Sequence, residues 1–319
     1  MSLHQEKQIK TRLHTRNKNR TPYDIEALVL AVPELEHHLK KNKLGLPSVD
    51  FSSPIAVKLL NRALLSYYYQ IGYWEFPDEH LCPPIPGRAD YLHYMADVLR
   101  ESNFGRMPAG NKITCLDVGV GASCIYPIIG VVEYDWNFIG SDIDSKSLMA
   151  AKKIRSNNAS LKDKIDLRLQ KNPNVFFQDI LENEEKIDLS ICNPPFHASL
   201  EEAQKGTRRK VKNLSGKKMS TPELNFSGVE SELAYKGGEL KFIQNMIWES
   251  RRNAENCYWF STLVSKQSNL KAINSLLKKV AAKEIKEIPM GTGNKTTRII
   301  AWTFLSKEEQ KEWKRLRWQ

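Results

Sequence analysis

One apolar run in this chain ends in two consecutive prolines. Ile187-Asp188-Leu189-Ser190-Ile191-Cys192 leads directly into Asn193-Pro194-Pro195-Phe196. A short, nearly continuous apolar run reads as a strand buried on both faces, as in a parallel sheet. Proline has no N–H donor and fixes φ at about −65°, so the strand stops there. Asn193 precedes a proline and is held extended. In open α/β sheets, ligands bind outside the carboxyl ends of the strands. The expected result is a rigid carboxamide with an aromatic ring shortly after it. The Asn193 amide oxygen and the Pro194 carbonyl can both accept from one exocyclic NH2, and Phe196 can stack on the ring that carries it. A plain strand-ending proline turn has the same four residues, so the rest of the chain decides.

A doubly wound pattern begins upstream. Ile113 to Val118 is a short β run, followed by Gly119-Val120-Gly121-Ala122-Ser123-Cys124 and the start of a helix at Ile125. Trp136 to Asp142 is the next strand, ending in an acid, and a helix runs from about Ser145 to Asn157. Strand, Gly-rich turn, helix, strand, acid is a nucleotide-binding half-site: Gly119 and Gly121 let backbone approach a ligand, and Asp142 can bond ribose hydroxyls. Cys124 stands where a dinucleotide fingerprint has its third glycine. The turn therefore fits D-x-G-x-G-x-S, closer to the first motif of S-adenosylmethionine-dependent methyltransferases. Val175 to Asp179 reads as a further strand, with Asp179 either facing a cofactor adenine or capping the segment after it. After a helix over 239–252, Cys257 to Val264 is another buried strand, and a helix spans 269–282. Residues 284–288 and 298–304 then pair as a closing antiparallel hairpin.

The 319 residues carry 48 Lys and Arg against 37 Asp and Glu, a net charge of +11, which favours a polyanionic partner. The basic residues cluster. Residues 1–22 read as a flexible basic arm, with Lys10, Arg12 and Arg16 as candidate RNA contacts. Residues 205–218 read as a mobile basic loop beside the site, either solvated or an RNA-phosphate clamp formed by Arg208, Arg209, Lys210 and Lys212. Residues 23–108 form a helical module, and 109–319 a Rossmann-like domain. Arg88 falls in the first turn of a helix, where a cation opposes the helix dipole; it is either an exposed arginine or one facing an anionic group. His197 reads as a turn residue. Five cysteines without a C-x-x-C pair fit reduced thiols in a cytoplasmic protein, and no apolar run reaches membrane length.

With these residues in place, the chain resembles the RlmF family of 23S rRNA adenine-N6 methyltransferases, related to eukaryotic enzymes acting on small nuclear RNA. The resemblance runs through Val49-Asp50-Phe51, Cys82-Pro83-Pro84, Pro86-Gly87-Arg88-Ala89-Asp90-Tyr91, Gly121 to Pro127, Cys192 to Phe196, Gly237-Gly238-Glu239 and Ala301 to Phe304. It implies a class I, seven-stranded methyltransferase fold with S-adenosylmethionine as donor and no metal. It also implies that Arg88, Gly119, Ser123, Asp142, Asn172 and Asn193 line the cofactor. Its substrate is 23S rRNA, at adenine-1618, met free or in a large-subunit assembly intermediate by a monomeric enzyme. The chain stops soon after its last expected strand, which favours the bacterial reading over the longer eukaryotic one. Another structured RNA as substrate, or a non-catalytic ribosome-assembly protein, are the alternatives.

Overall fold

The computed structural model describes residues 10–42, 45–182, 184–202, 228–292 and 295–319. Seven strands form the central sheet: β3 (Thr114–Val118), β4 (Asn137–Asp142), β5 (Ile165–Leu169), β6 (Ile187–Cys192), β7 (Cys257–Val264), β8 (Glu284–Thr292) and β9 (Lys295–Thr303). A separate two-stranded ribbon, β1 (Leu39–Lys41) and β2 (Pro47–Val49), precedes them. The sheet order is β5-β4-β3-β6-β7-β9-β8. β5 through β7 are mutually parallel, while β9 runs antiparallel to both β7 and β8. This is the class I methyltransferase architecture with its antiparallel closing hairpin. From β3 the chain winds outward to β4 and β5, then crosses to β6 and β7 on the other side. The strand order therefore reverses at β3, and a crevice opens beyond the carboxyl ends of β3 and β6.

Every residue of β6 and β7 is buried, as expected of strands covered on both faces. One face carries α2 (Pro54–Tyr69), α3 (Ile85–Ser102), α4 (Ile125–Tyr134) and α5 (Ser145–Ser156), whose apolar residues join Leu189 and Ile191 of β6 in one cluster. The other carries α7 (Gly238–Arg252) and α8 (Leu270–Lys279), packed against Ile187 and Phe260. The short helix α1 (Ile25–Ala31) adds Leu28 to the first of these clusters, and the short α6 (Glu230–Leu233) precedes α7. Local signals set the helix ends. Ser53 caps Ala56 N ahead of Pro54, and Gln70 ends α2 in the left-handed conformation.

The loop at 103–109 separates α3 from the strands, yet the helices before it share one hydrophobic cluster with the sheet. The helical module is thus a layer of the same core.

Residues 10–20, read as part of a flexible arm, pack against α3. Asp90 accepts from His14 N at 3.0 Å and Asn17 Nδ2 at 2.5 Å. Asp97 binds His14 Nε2 and Arg16 Nη1, each at 2.9 Å. Two acids on one helix hold what composition alone reads as solvated chain.

The expected strand at 175–179 is irregular, and the strand stands earlier, at β5. Phe176 and Phe177 are buried, but the N–H groups of Phe176, Phe177 and Gln178 donate to the Glu249 carboxylate of α7 at 2.7–2.9 Å. Those donors are unavailable to a ladder.

A last helix, α9 (Lys307–Arg317), comes after the sheet and opens with a Ser306/Glu309 capping box. Asp188 of β6, fully buried, holds it. Its carboxylate accepts from Thr114 N (2.8 Å), Trp313 Nε1 (2.8 Å), Trp318 Nε1 (2.7 Å) and the Arg317 guanidinium (2.9 Å). Replacing Asp188 with Ala strands these donors and an arginine. The variant is expected to lose about 3 kcal/mol or more in urea denaturation, against well under 1 kcal/mol for an exposed acid such as Glu308.

Candidate active site

The crevice is built from the two strand ends that flank it. After β3, Gly119 and Gly121 take φ of +78° and +64°, backbone that favours glycine. This turn folds back on the next strand: Gly119 N and Val120 N both donate to Ser141 O at 2.9 Å. Asp142, at the end of β4, accepts from Gly121 N through Oδ2 and from Asp144 N through Oδ1, both at 2.9 Å. Burial pushes its carboxyl up to about 6; these two N–H bonds oppose that, and Glu232 nearby reinforces it. Each oxygen keeps a lone pair for a further donor.

These residues wall a cavity of about 340 Å³. The sequence candidates Gly119, Gly121, Ser123, Asp142, Arg88 and Asn193 all line it. Pro195 does too, while Pro194 is buried behind. Its walls combine backbone and carboxylate at one side with Val120, Ile125, Val175 and Phe176. Asn172 does not line it. That side chain is exposed and accepts from Asn174 N at 3.0 Å, closing a turn; its neighbours Gln170 and Pro173 face the cavity instead. Asp179 is absent from this cavity as well: it takes φ +62° in the Glu249-held turn and faces a separate polar depression.

A second, more open groove of about 590 Å³ lies beside the first. Asn193 and Arg88 line both spaces, and Phe196 lines only the groove. Lys10 and Arg12 line it with the hairpin residues Met290 and Gly291; the Lys10 ammonium donates to Asn19 O at 3.2 Å and lies 4.2 Å from the Tyr23 ring centre. A side chain on Gly291 would meet Arg12 Cβ at 3.2 Å, so this glycine lets the N-terminal segment seat there. Arg16 is elsewhere. Its guanidinium binds Asp97, Tyr134 Oη (3.0 Å) and His93 O (2.7 Å), and it holds the segment rather than facing the groove. Arg208, Arg209, Lys210, Lys212 and the whole 205–218 loop lie outside the described residues.

The Asn193 Oδ1 atom is buried with no hydrogen-bond partner among the described residues. An unmatched buried acceptor costs stability, so a donor supplied by a ligand is the expected partner. His197 is not in a turn as expected: it forms an isolated parallel bridge with Ala234, its N–H donating to Leu233 O at 3.2 Å and its C=O accepting from Tyr235 N at 3.0 Å. This pairing draws 232–236 over the inner cavity, which Glu232, Tyr235 and Lys236 line. Glu232 is itself fixed by Leu81 N at 2.9 Å and Val229 N at 3.0 Å. Nothing local in the sequence marks these residues, because a long-range backbone pairing brings them in. Tyr126, whose ring lies under Arg88 at 5.6 Å, is likewise invisible to spacing alone.

Comparison with known proteins fits this geometry. A family described as RNA methyltransferase matches residues 7–306. The chain belongs to this RNA methyltransferase family. It is 49% identical over 310 residues to the ribosomal RNA large subunit methyltransferase F of Cytophaga hutchinsonii, covering 97% of this chain and 96% of that one. It is 50% identical to the protein of the same name from Flavobacterium johnsoniae, covering 96% and 97%. Among solved structures, the hMettl16 catalytic domain in complex with a MAT2A 3′UTR hairpin superposes with a TM-score of 0.78 at 27% identity, covering 92% of this chain and 96% of that one. The N-terminal domain of human METTL16 in complex with SAH shares the fold, with a TM-score of 0.71 at 24% identity over 92% and 99% of the two chains. This RNA methyltransferase is thus an enzyme whose fold and reaction class agree with its motifs.

The groove wall makes one prediction. In Asp90→Ala, residues 10–17 lose two anchors to a buried acceptor. Tryptic cleavage after Arg12 and Arg16 is expected to accelerate about tenfold or more, the equivalent of one such bond, with the core remaining resistant.

Proposed function

We propose that this enzyme transfers the methyl group of S-adenosylmethionine to N6 of one adenine in 23S ribosomal RNA, adenine-1618 by family resemblance. The observation that carries the reading is the meeting of two spaces at Asn193: a walled cavity and a basic groove. The cavity fits the donor. Asp142 has lone pairs for ribose hydroxyls, the Gly119–Gly121 backbone allows close approach, and the apolar walls suit an adenine ring. Bound there, S-adenosylmethionine supplies an electrophilic methyl group on a sulfonium. The groove suits the acceptor: Lys10, Arg12 and Arg88 favour phosphate, and Phe196 offers a stacking face for a base turned out of its helix.

An adenine amino group is a poor nucleophile because its lone pair is conjugated with the ring. Asn193 Oδ1 and the Pro194 carbonyl accept its two N–H bonds, which favours a pyramidal nitrogen and aims the lone pair. The new C–N bond forms as the C–S bond breaks, and the cationic nitrogen then sheds a proton to water. Positioning therefore carries much of the rate. The names of the close relatives support a ribosomal substrate. A ribosomal RNA substrate supports a cytoplasmic reaction.

The test is transfer of label from S-adenosylmethionine to unmodified 23S rRNA, followed by nucleoside digestion and mass analysis. N6-methyladenosine is expected. Label in protein instead of RNA would replace the reading with amide methylation of a glutamine. In Asn193→Ala, turnover is expected to fall by about 10²-fold or more, with S-adenosylhomocysteine binding largely kept. A second prediction concerns pH. Ligand hydroxyls donate to ionised Asp142, whose carboxyl is raised to about 6. Protonation removes an acceptor, so S-adenosylhomocysteine affinity is expected to fall below about pH 6 and to level off above about pH 7. Titration calorimetry across that range checks it, and Asp142→Asn should flatten the profile.

A further inference from the structure

The end of β6 is separated from β7 by side-chain hydroxyls. The register between the two strands runs to Ser190 opposite Phe260 and goes no further. Beyond it, Cys192 N donates to the Tyr91 hydroxyl at 3.3 Å. Tyr91 Oη also lies 2.9 Å from Ser261 Oγ, and Ser261 Oγ lies 2.7 Å from Ser190 O. The protons can be assigned. Ser261 has one, and the carbonyl of Ser190 can only accept it. Tyr91 therefore donates to Ser261 Oγ, and its own oxygen accepts from Cys192 N. All of these groups are buried. Burial holds the Tyr91 phenol well above its ordinary range, so the hydroxyl keeps its proton at any working pH.

Tyr91 belongs to α3, one turn after Arg88, so one helix face reaches the site twice. Its ring stands edge-on to Tyr126 at 5.6 Å, and Tyr126 lies under Arg88. The groove takes Asn193 and Phe196 from beyond β6, and Leu263 and Ser265 from the end of β7 and beyond. It therefore lies where the two strands part.

We infer that Tyr91 is a positioning residue for methyl transfer: its hydroxyl takes the place of a ladder partner at Cys192 and fixes the backbone that carries Asn193. Without it, Cys192 N–H and Ser261 Oγ each lose a buried partner, and on the β7 side the strand end keeps only the Thr262 Oγ1 bond to Cys192 O at 3.5 Å, beside its register with Val118 of β3. The inference rests on the role given to Asn193 above.

Tyr91→Phe removes the hydroxyl and leaves the ring. Turnover with saturating rRNA is expected to drop roughly tenfold or more, while the dissociation constant for S-adenosylhomocysteine moves less than about twofold. Hydrogen exchange, measured without RNA, is expected to quicken in peptides spanning 187–197 and to stay unchanged over 114–118. Ser261→Ala is a smaller excision that keeps the Cys192 bond; it should produce the same pattern more weakly, and the double variant should be no slower than Tyr91→Phe. Turnover within twofold of wild type would overturn the inference. So would a loss of cofactor affinity in parallel with turnover, unchanged exchange over 187–197, or multiplicative effects in the double variant. If the unaltered protein methylates no RNA, the reading of Asn193 fails, and exchange still decides the part played by Tyr91.

Discussion

Two adjacent residues without N–H donors end β6, and the site depends on that stop. Pro194 and Pro195 cannot extend a ladder, so the chain must leave the sheet at Asn193. The strand that ends there is the neighbour of β3 on the far side of the switch in strand order. The Gly119–Gly121 turn leaves β3 at the same edge. One crevice therefore receives both the glycine turn and the Asn193 carboxamide.

Buried carboxylates fix the walls of that crevice by binding loop backbone. Two of them come from opposite ends of α7. Glu249 accepts from three consecutive N–H groups at 176–178, beside the inner cavity. Glu239 accepts from Ser265 N at 2.7 Å, Lys266 N at 3.2 Å and Asn269 Nδ2 at 2.7 Å, and so places the β7 exit loop along the groove. Asp90 does the same for the N-terminal segment on the opposite wall. Each loop is irregular, yet these donors are satisfied, which is the condition for burying irregular backbone. The site is a set of loops held from outside by charged hydrogen bonds.

These acids also explain what the sequence makes legible. The parallel strands β3, β4, β6 and β7, the glycine turn and the terminal hairpin follow from local periodicity and turn chemistry, and they lie where those signals put them. Asn193, Arg88, Gly119, Gly121, Ser123 and Asp142 converge because all sit at the carboxyl edge or on the helix beside it. The segment at 175–179 misleads because two phenylalanines read as a strand, while the carboxylate that claims its donors lies about 70 residues away. Residues 10–20 mislead for the same reason: Asp90 and Asp97 are remote in sequence. By contrast, Ile165-Asp166-Leu167-Arg168-Leu169 alternates as an edge strand does, and Ser306 to Glu309 is a capping signal. Both are local signals that a closer reading of periodicity and caps finds.

In the proposed reaction, donor and acceptor occupy separate spaces that meet at Asn193. A crystal structure of the protein with S-adenosylhomocysteine and an RNA fragment carrying the target adenine tests it most directly. The nucleoside is expected in the cavity beside Asp142, the adenine against Phe196, and its N6 within hydrogen-bond reach of Asn193 Oδ1. An adenine bound away from Asn193, or a cofactor lying in the outer groove, would contradict it.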